Sequence, residues 1–135
     1  MRVFALILAV ALAALAAGCG VATSGNSANK FNGEAQQAAQ TIEDLQSAGQ
    51  KSDEAKICND LLAQALRSKL GNCQTTVKTA IKNTDSFDLT VQSVQVTGAS
   101  ATAKVRAKRG GTTPDEIDTV GLVREGGRWR ISSLG

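Results

Sequence analysis

Three cysteines, Cys19, Cys58 and Cys73, are the residues of this 135-residue chain whose spacing is most informative about chemistry. A cysteine can form a disulfide, bind a metal ion as thiolate or act as a nucleophile. Cys58 and Cys73 lie fifteen residues apart and the sequence has no histidine, so the pair does not match a zinc site. Cys-His and Ser-His-Asp nucleophiles are excluded for the same reason.

Other catalytic groups are scarce as well. The chain has no tyrosine, so the usual imidazole proton shuttles and phenolic oxyanion donors are both missing. Asp88 lies near the start of a predicted strand, but on the polar side of its alternation. The sequence therefore predicts no catalytic residues, no cofactor and no metal.

The N-terminal segment has the order of a secretory signal. Arg2 precedes an uncharged, almost wholly aliphatic run over residues 3–15, and the small residues 16–18 separate this run from Cys19. A positive start, an apolar stretch and a small-residue cleavage site are the three parts of such a signal. We therefore expect the chain to be exported.

The stretch LAAGC, residues 15–19, resembles the lipobox of bacterial lipoproteins. The resemblance implies a signal peptide over residues 1–18 and a lipid on Cys19 that anchors the chain to the bilayer, on the extracytoplasmic side of the bacterial cell membrane. The stretch departs from the commonest pattern in having Ala16, and not leucine, three positions before the cysteine. Two other interpretations stay open: secretory cleavage after Ala16 with a free Cys19, or an uncleaved anchor helix over residues 3–22, near the ~20 residues of a span.

If Cys19 carries lipid, Cys58 and Cys73 remain as one pair in an oxidising compartment, which favours a disulfide. The alternative is two buried thiols that behave as small apolar residues. A straight helix would place the two Cα atoms ~22 Å apart, whereas a disulfide needs ~4.4–6.8 Å. A bridge therefore requires a bend, which we expect near residues 62–64.

Charge and composition set further bounds. Without Arg2 the mature chain has 14 basic residues against 12 acidic ones, a net charge of +2. So small an excess gives no reason to expect a nucleic-acid partner. Residues 19–30 are mostly small and polar, which predicts a flexible tether. Residues 31–135 then form one domain.

Apolar periodicity predicts that the first half of this domain is helical. A stripe at helical spacing indicates a first helix over residues 32–49. A second helix covers residues 53–70, behind Ser52 as its N-cap. Asn72 caps a third, shorter helix.

From Phe87 onward the apolar period changes to two, which predicts strands. The alternation slips at residues 92–93, where we expect a β-bulge, and Gly98 marks a tight hairpin. A turn at residues 126–127 pairs Leu122 with Ile131 and Val120 with Ser133. Helices followed by four antiparallel strands give an α+β fold, with the helices packed on a curved meander sheet.

Two stretches, VQVTGASATAKV (residues 94–105) and GLVREGGRWRISSLG (residues 121–135), resemble hairpins of the cone-shaped nuclear-transport-factor-2-like, or ketosteroid-isomerase-like, family. The resemblance implies helices that close the concave side of the sheet. The residues expected to line the interior of the cone are Ala101, Ala103, Val105, Ala107 and Trp129. Members include enzymes, small-ligand binders and exported domains without known activity, so the fold gives little on function.

One group of charges suggests a surface. Lys104, Arg106 and Lys108 share the outer face of one predicted strand, and Arg128 and Arg130 that of the last. They form either a solvated face that discourages edge pairing or a basic patch for anionic lipid headgroups or an acidic envelope polymer.

Three functional hypotheses follow. The first is a tethered, non-catalytic domain that binds or organises a partner, such as an envelope protein or anionic polymer, at the cell envelope. The alternative is a carrier of a small apolar ligand in the cone, which would need a cavity of ~300 Å³ or more lined by Ala101, Ala103 and Ala107. The third is an isomerase-like enzyme, which would need two acidic side chains in that cavity.

Overall fold

The computed structural model describes residues 27–84, 87–108 and 113–135. Its helical half consists of a 3-10 turn (Ser27–Lys30), α1 (Gly33–Gln50), α2 (Glu54–Lys56), a π-helical segment (Ile57–Leu61), α3 (Gln64–Lys69) and α4 (Cys73–Lys82). The strands are β1 (Leu89–Thr97), β2 (Ser100–Ala107), β3 (Glu116–Glu125) and β4 (Arg128–Leu134). The predicted α+β class is confirmed. Cys19, the leader and residues 19–26 lie outside the described residues.

The four strands form one antiparallel sheet in the order β1-β2-β3-β4, the predicted meander. The predicted bulge is present, because the register of β1 against β2 shifts between Val91 and Ser93.

A second bulge in the last hairpin makes part of the predicted register wrong. Leu122 pairs with Ile131 as expected, but Gly121 pairs with Ser133, so that Val120 faces Leu134 and not Ser133. One extra residue in β4 reverses the side that each later residue faces. The bulge therefore places Leu134, in place of a serine, beside Val120.

Small side chains let α1 approach the sheet closely. Ala38 and Ala39 on α1 and Ala103 on β2 are fully buried. Ile42, also fully buried, belongs to the same core cluster as Ile131. Burying a side chain of that size stabilises the fold by ~1.5–3 kcal/mol, so this layer holds α1 against the sheet.

The helix between the two cysteines is interrupted where the bend was predicted. Leu62 and Ala63 are extended, with φ −87° and ψ 138° at Leu62. The two residues run beside β4, where the Ala63 N–H donates to the Ile131 carbonyl at 2.7 Å. The chain turns back after this contact, and Cys58 and Cys73 form a disulfide with a Cα–Cα distance of 6.0 Å.

The predicted helix caps are half right. The Asn72 side chain accepts from the Thr75 N–H at 3.2 Å, as expected. Ser52 is not a cap; Asp53 is, and its carboxylate accepts from the Lys56 N–H at 3.0 Å. Ser52 has a φ of 54°, which is incompatible with the extended backbone of an N-cap.

The tether prediction is wrong at its C-terminal end, because Ser27–Lys30 docks on the domain. Ala28 is fully buried, and its N–H donates to the Glu43 carboxylate at 2.7 Å. The Ser27 hydroxyl accepts from the Val91 N–H at 3.0 Å. The folded unit therefore includes residues from 27 onward, and not only from 31.

Both edges of the sheet are partly covered. On β1, the Leu89 N–H donates to the Gln46 side chain at 2.8 Å, next to the Ser27–Val91 contact. On β4, the Thr41 hydroxyl donates to the Trp129 carbonyl at 3.2 Å. Covered edges discourage strand addition from a second chain. None of the helices in the described ranges combines the length and apolarity needed to cross a bilayer.

An apolar cavity as the candidate functional site

A cavity of about 380 Å³ lies between the helices and one end of the sheet. Its lining is mostly aliphatic and comes from α1, the π-helical segment, α4 and the strands. Representative lining residues are Ile42, Leu45, Ile57, Val77, Val105 and Val120. Pockets of ~300–1,000 Å³ with such linings are typical of small-molecule sites.

The position of α4 creates the space. This helix contacts α2 and the π-helical segment, and the disulfide at Cys73 ties its first residue to Cys58. Val77 is buried while Ala80 is exposed, although both line the cavity. Ala80 therefore lies at the mouth, as does Leu134, which lines the cavity with 55% of its surface exposed.

Two of the five residues expected to line the interior of the cone are among the lining of this cavity. Val105 and Ala107 line the cavity, but Ala101, Ala103 and Trp129 do not. Ala101 and Ala103 are 5% and 0% exposed within the packed core. The sheet interior is filled at that end, under α1, whereas α4 forms part of the cavity wall.

Asp118 is a cavity residue that the sequence analysis did not single out. It lies directly opposite Val105 in the ladder of β2 and β3, so both side chains are on the same face. It is partly exposed, and no described residue forms a hydrogen bond or ion pair with its carboxylate. The alternation of β3 could have identified Asp118, because it lies two and four residues before the buried Val120 and Leu122 and therefore on the same face of the strand.

The lining described here contains few other polar side chains. The Thr76 hydroxyl donates to the Leu70 carbonyl at 3.1 Å, which occupies its proton. Asp118 is the one acidic side chain among the described lining residues, whereas the isomerase-like hypothesis asked for two. No group of three or more potential metal-ligating side chains occurs in the described ranges.

Trp129 belongs to a separate cluster, at the opposite end of the concave face. Its indole N–H donates to the Glu34 carboxylate at 2.7 Å, and Arg124 donates to the same carboxylate. The Arg124 guanidinium lies 5.7 Å from the indole centroid. The bonds from Trp129 and Arg124 lower the pKa of Glu34 below its ordinary value of 4.5. This cluster fastens the start of α1 to the last hairpin.

A second, polar groove of about 620 Å³ runs beside α1. Amide and charged side chains line it, including Gln36, Gln40, Asp44 and Arg128. Its openness to solvent and mixed charges give no preference for one class of ligand.

The five basic residues lie in two groups. Lys104 and Arg106 pair with Thr119 and Ile117 of β3, whereas Arg130 pairs with Val123. Four residues along β3 and two strand spacings separate Lys104 from Arg130 by roughly 16 Å. The Arg130 guanidinium donates to the Asn59 carbonyl at 2.8 Å.

Arg128 extends the second group at the start of β4, where it pairs with Glu125, and Lys108 follows the first group beyond β2. The sheet therefore does not bring the five residues together as one patch.

Comparisons with known proteins identify the fold. No family model matches the sequence, and no curated protein matches it. The solution structure of RPA3114, a SEC-C motif containing protein from Rhodopseudomonas palustris, superposes with a TM-score of 0.61 at 17% identity, over 73% of this chain and 77% of that one.

A designed nuclear-transport-factor-2-like protein superposes with a TM-score of 0.57, also at 17% identity, over 76% of this chain and 97% of the design. The chain thus has the nuclear-transport-factor-2-like fold that its hairpins predicted.

Proposed function

We propose that this chain is an exported, lipid-anchored domain that binds a small apolar ligand in its cone cavity without catalysing a reaction. The observation that carries the proposal is the 380 Å³ cavity with an almost entirely aliphatic lining. Side chains around an unfilled apolar space lose dispersion contacts on one side. An apolar ligand restores those contacts and leaves water at the same time.

The structure supports a ligand in the cavity better than it supports a surface that binds an envelope partner. A basic patch for an anionic polymer would need its charges close together, but Lys104 and Arg130 belong to separate groups. The cavity, in contrast, draws its lining from helices and strands far apart in sequence. We therefore assign partner recognition first to the cavity.

A direct test is native mass spectrometry of protein extracted from its own membrane, which should show a small apolar adduct. Ala80→Trp should abolish the adduct, because the indole would occupy the mouth. Ala80 is exposed on α4, so the domain should still fold. The matched control is Ala55→Trp, at an exposed position outside the lining. Equal adducts in both variants, or none in the wild type, would count against the carrier.

Export and anchoring rest on the leader sequence and on Cys19. The Cys58–Cys73 disulfide is compatible with an oxidising, extracytoplasmic compartment. Replacing Cys19 with serine should block acylation and either release the protein or trap its precursor. Membrane fractionation and intact mass provide the measurement, and unchanged mass and membrane level in Cys19→Ser would reject the lipid anchor.

A further inference from the structure

We infer that the ligand is a cationic amphiphile whose charged head group pairs with Asp118 while its apolar tail occupies the cavity. This inference rests on the proposed function and specifies the chemistry of its ligand. It follows from the position of one carboxylate in a lining that is otherwise almost free of polar side chains.

The strand register places Asp118 on the cavity side. Its ladder partner Val105 is buried, and Val120, two residues on, is buried on the same face. Asp118 itself is partly exposed, so its carboxylate lies where the apolar lining meets water. A head group can bind there without being fully dehydrated, while the tail reaches Ile42 and Leu45.

The carboxylate is available for such a contact. An ionised carboxylate only accepts hydrogen bonds, and within the described residues nothing donates to Asp118. Burying it against an uncharged alkyl ligand would remove water from it without replacement, which is unfavourable. An ammonium group replaces that water with a charge-assisted hydrogen bond.

The surrounding charges favour a cation over an anion. Lys104 and Arg106 flank Val105 in β2, but strand alternation puts both on the opposite face, where they are exposed. The Thr76 hydroxyl donates its proton to the Leu70 carbonyl, so this proton is not available to an anionic head group. A fatty acid would place its carboxylate next to Asp118, so repulsion should disfavour it.

The size of the cavity limits the tail. If each non-hydrogen atom takes about the ~30 Å³ of a water in the liquid, 380 Å³ holds roughly a dozen such atoms. Decylamine, decanol and decanoate match this size. They share one alkyl length and differ in the charge of the head group, which makes them suitable probes.

The experiment is a calorimetric titration of the full-length protein in neutral phosphatidylcholine nanodiscs with each probe. Ala80→Trp protein in the same discs measures partition into the bilayer, which is subtracted. We expect decylamine to bind about tenfold more tightly than decanol, a difference of ~1.4 kcal/mol, and decanoate to bind most weakly. Asp118→Asn should abolish the preference without weakening the binding of decanol. The matched control is Asp115→Asn, at an exposed residue outside the lining.

The outcomes separate the two proposals. Equal affinities for the three probes, a preference for decanoate, or a preference that survives Asp118→Asn would overturn the cationic head group while leaving an apolar ligand in place. No saturable binding of any probe would overturn both. The wild-type ranking decides the matter alone if Asp118→Asn fails to fold.

Discussion

The Ala63 N–H donates a hydrogen bond of 2.7 Å to the Ile131 carbonyl, and this contact takes the chain out of its helix halfway between the two cysteines. It covers part of the exposed edge of β4 and reverses the chain direction, so that α4 can return toward α2. Cys58 and Cys73 then come within 6.0 Å. One backbone contact thus links the sheet edge, the disulfide and the wall of the cavity.

Removing the disulfide should destabilise the domain. We expect Cys58→Ala with Cys73→Ala to cost ~2–4 kcal/mol, because the unfolded chain regains the freedom of the closed loop. Urea denaturation with and without reductant measures it. Reduction should lower the wild-type midpoint and leave that of the double variant unchanged. Identical midpoints for wild type and variant would show that the bond adds no stability.

The same variant should lose ligand binding. The disulfide fixes the start of α4, and Val77 and Ala80 on this helix line the cavity. In the nanodisc titration, double-variant protein that is folded by circular dichroism should bind decylamine at least tenfold more weakly than the wild type, a loss of ~1.4 kcal/mol. Unchanged binding would mean that α4 holds its place through other contacts.

Acid should weaken the cluster at Glu34. Its hydrogen bonds with Trp129 and Arg124 lower the pKa of Glu34 below 4.5 in the folded protein, so the folded state binds this proton less readily than the unfolded chain. The stabilisation is complete above pH ~4.5 and disappears as the pH falls through the lower, folded-state pKa. Glu34→Gln should therefore be less stable than wild type at pH 7, and the difference should shrink by pH 3.

Thermal unfolding between pH 7 and pH 3 provides the measurement. Asp115→Asn is the control, because this exposed carboxyl takes no part in the cluster. A constant difference between Glu34→Gln and wild type across this range would contradict the linkage.

The docked turn at Ser27–Lys30 should contribute to stability. Ala28→Asp would bury a charge without a counterion next to the Glu43 carboxylate, and we expect a cost of ~3–5 kcal/mol, comparable to breaking a buried ion pair. Ala55→Asp, at an exposed position, should have little effect. Denaturant midpoints compare the two. Equal midpoints would mean that the turn is not part of the folded unit in solution.

Gly49 should resist substitution although it lies in a helix. A Cβ at this position would approach two ring carbons of Phe87 to 2.6 Å. Alanine gains ~1 kcal/mol of helix propensity over glycine, but overpacking costs ~1–3 kcal/mol, so we expect net destabilisation. Phe87→Leu should relieve it. A double-mutant cycle measures the coupling, and additive effects would exclude the clash.

Local patterns determined the secondary structure and which residues face the core. Helical spacing predicted α1, and the slip in the alternation at residues 92–93 predicted the β1 bulge. The distance that a disulfide can span predicted the break near Ala63. Each of these depends on residues that are close in sequence or on a covalent limit, so the sequence contains the information.

The cavity and its chemistry depended on the tertiary structure. Strand alternation shows that Ala103 and Ala107 face inward. The core is filled around Ala103, whereas Ala107 lines the cavity. Whether the space over each residue is filled depends on helices that are distant in sequence. The Ser27–Val91 hydrogen bond spans 64 residues and leaves no local pattern. The β4 bulge that places Leu134 beside Val120 is a shift in the pairing of two strands, so the alternation within either strand does not reveal it.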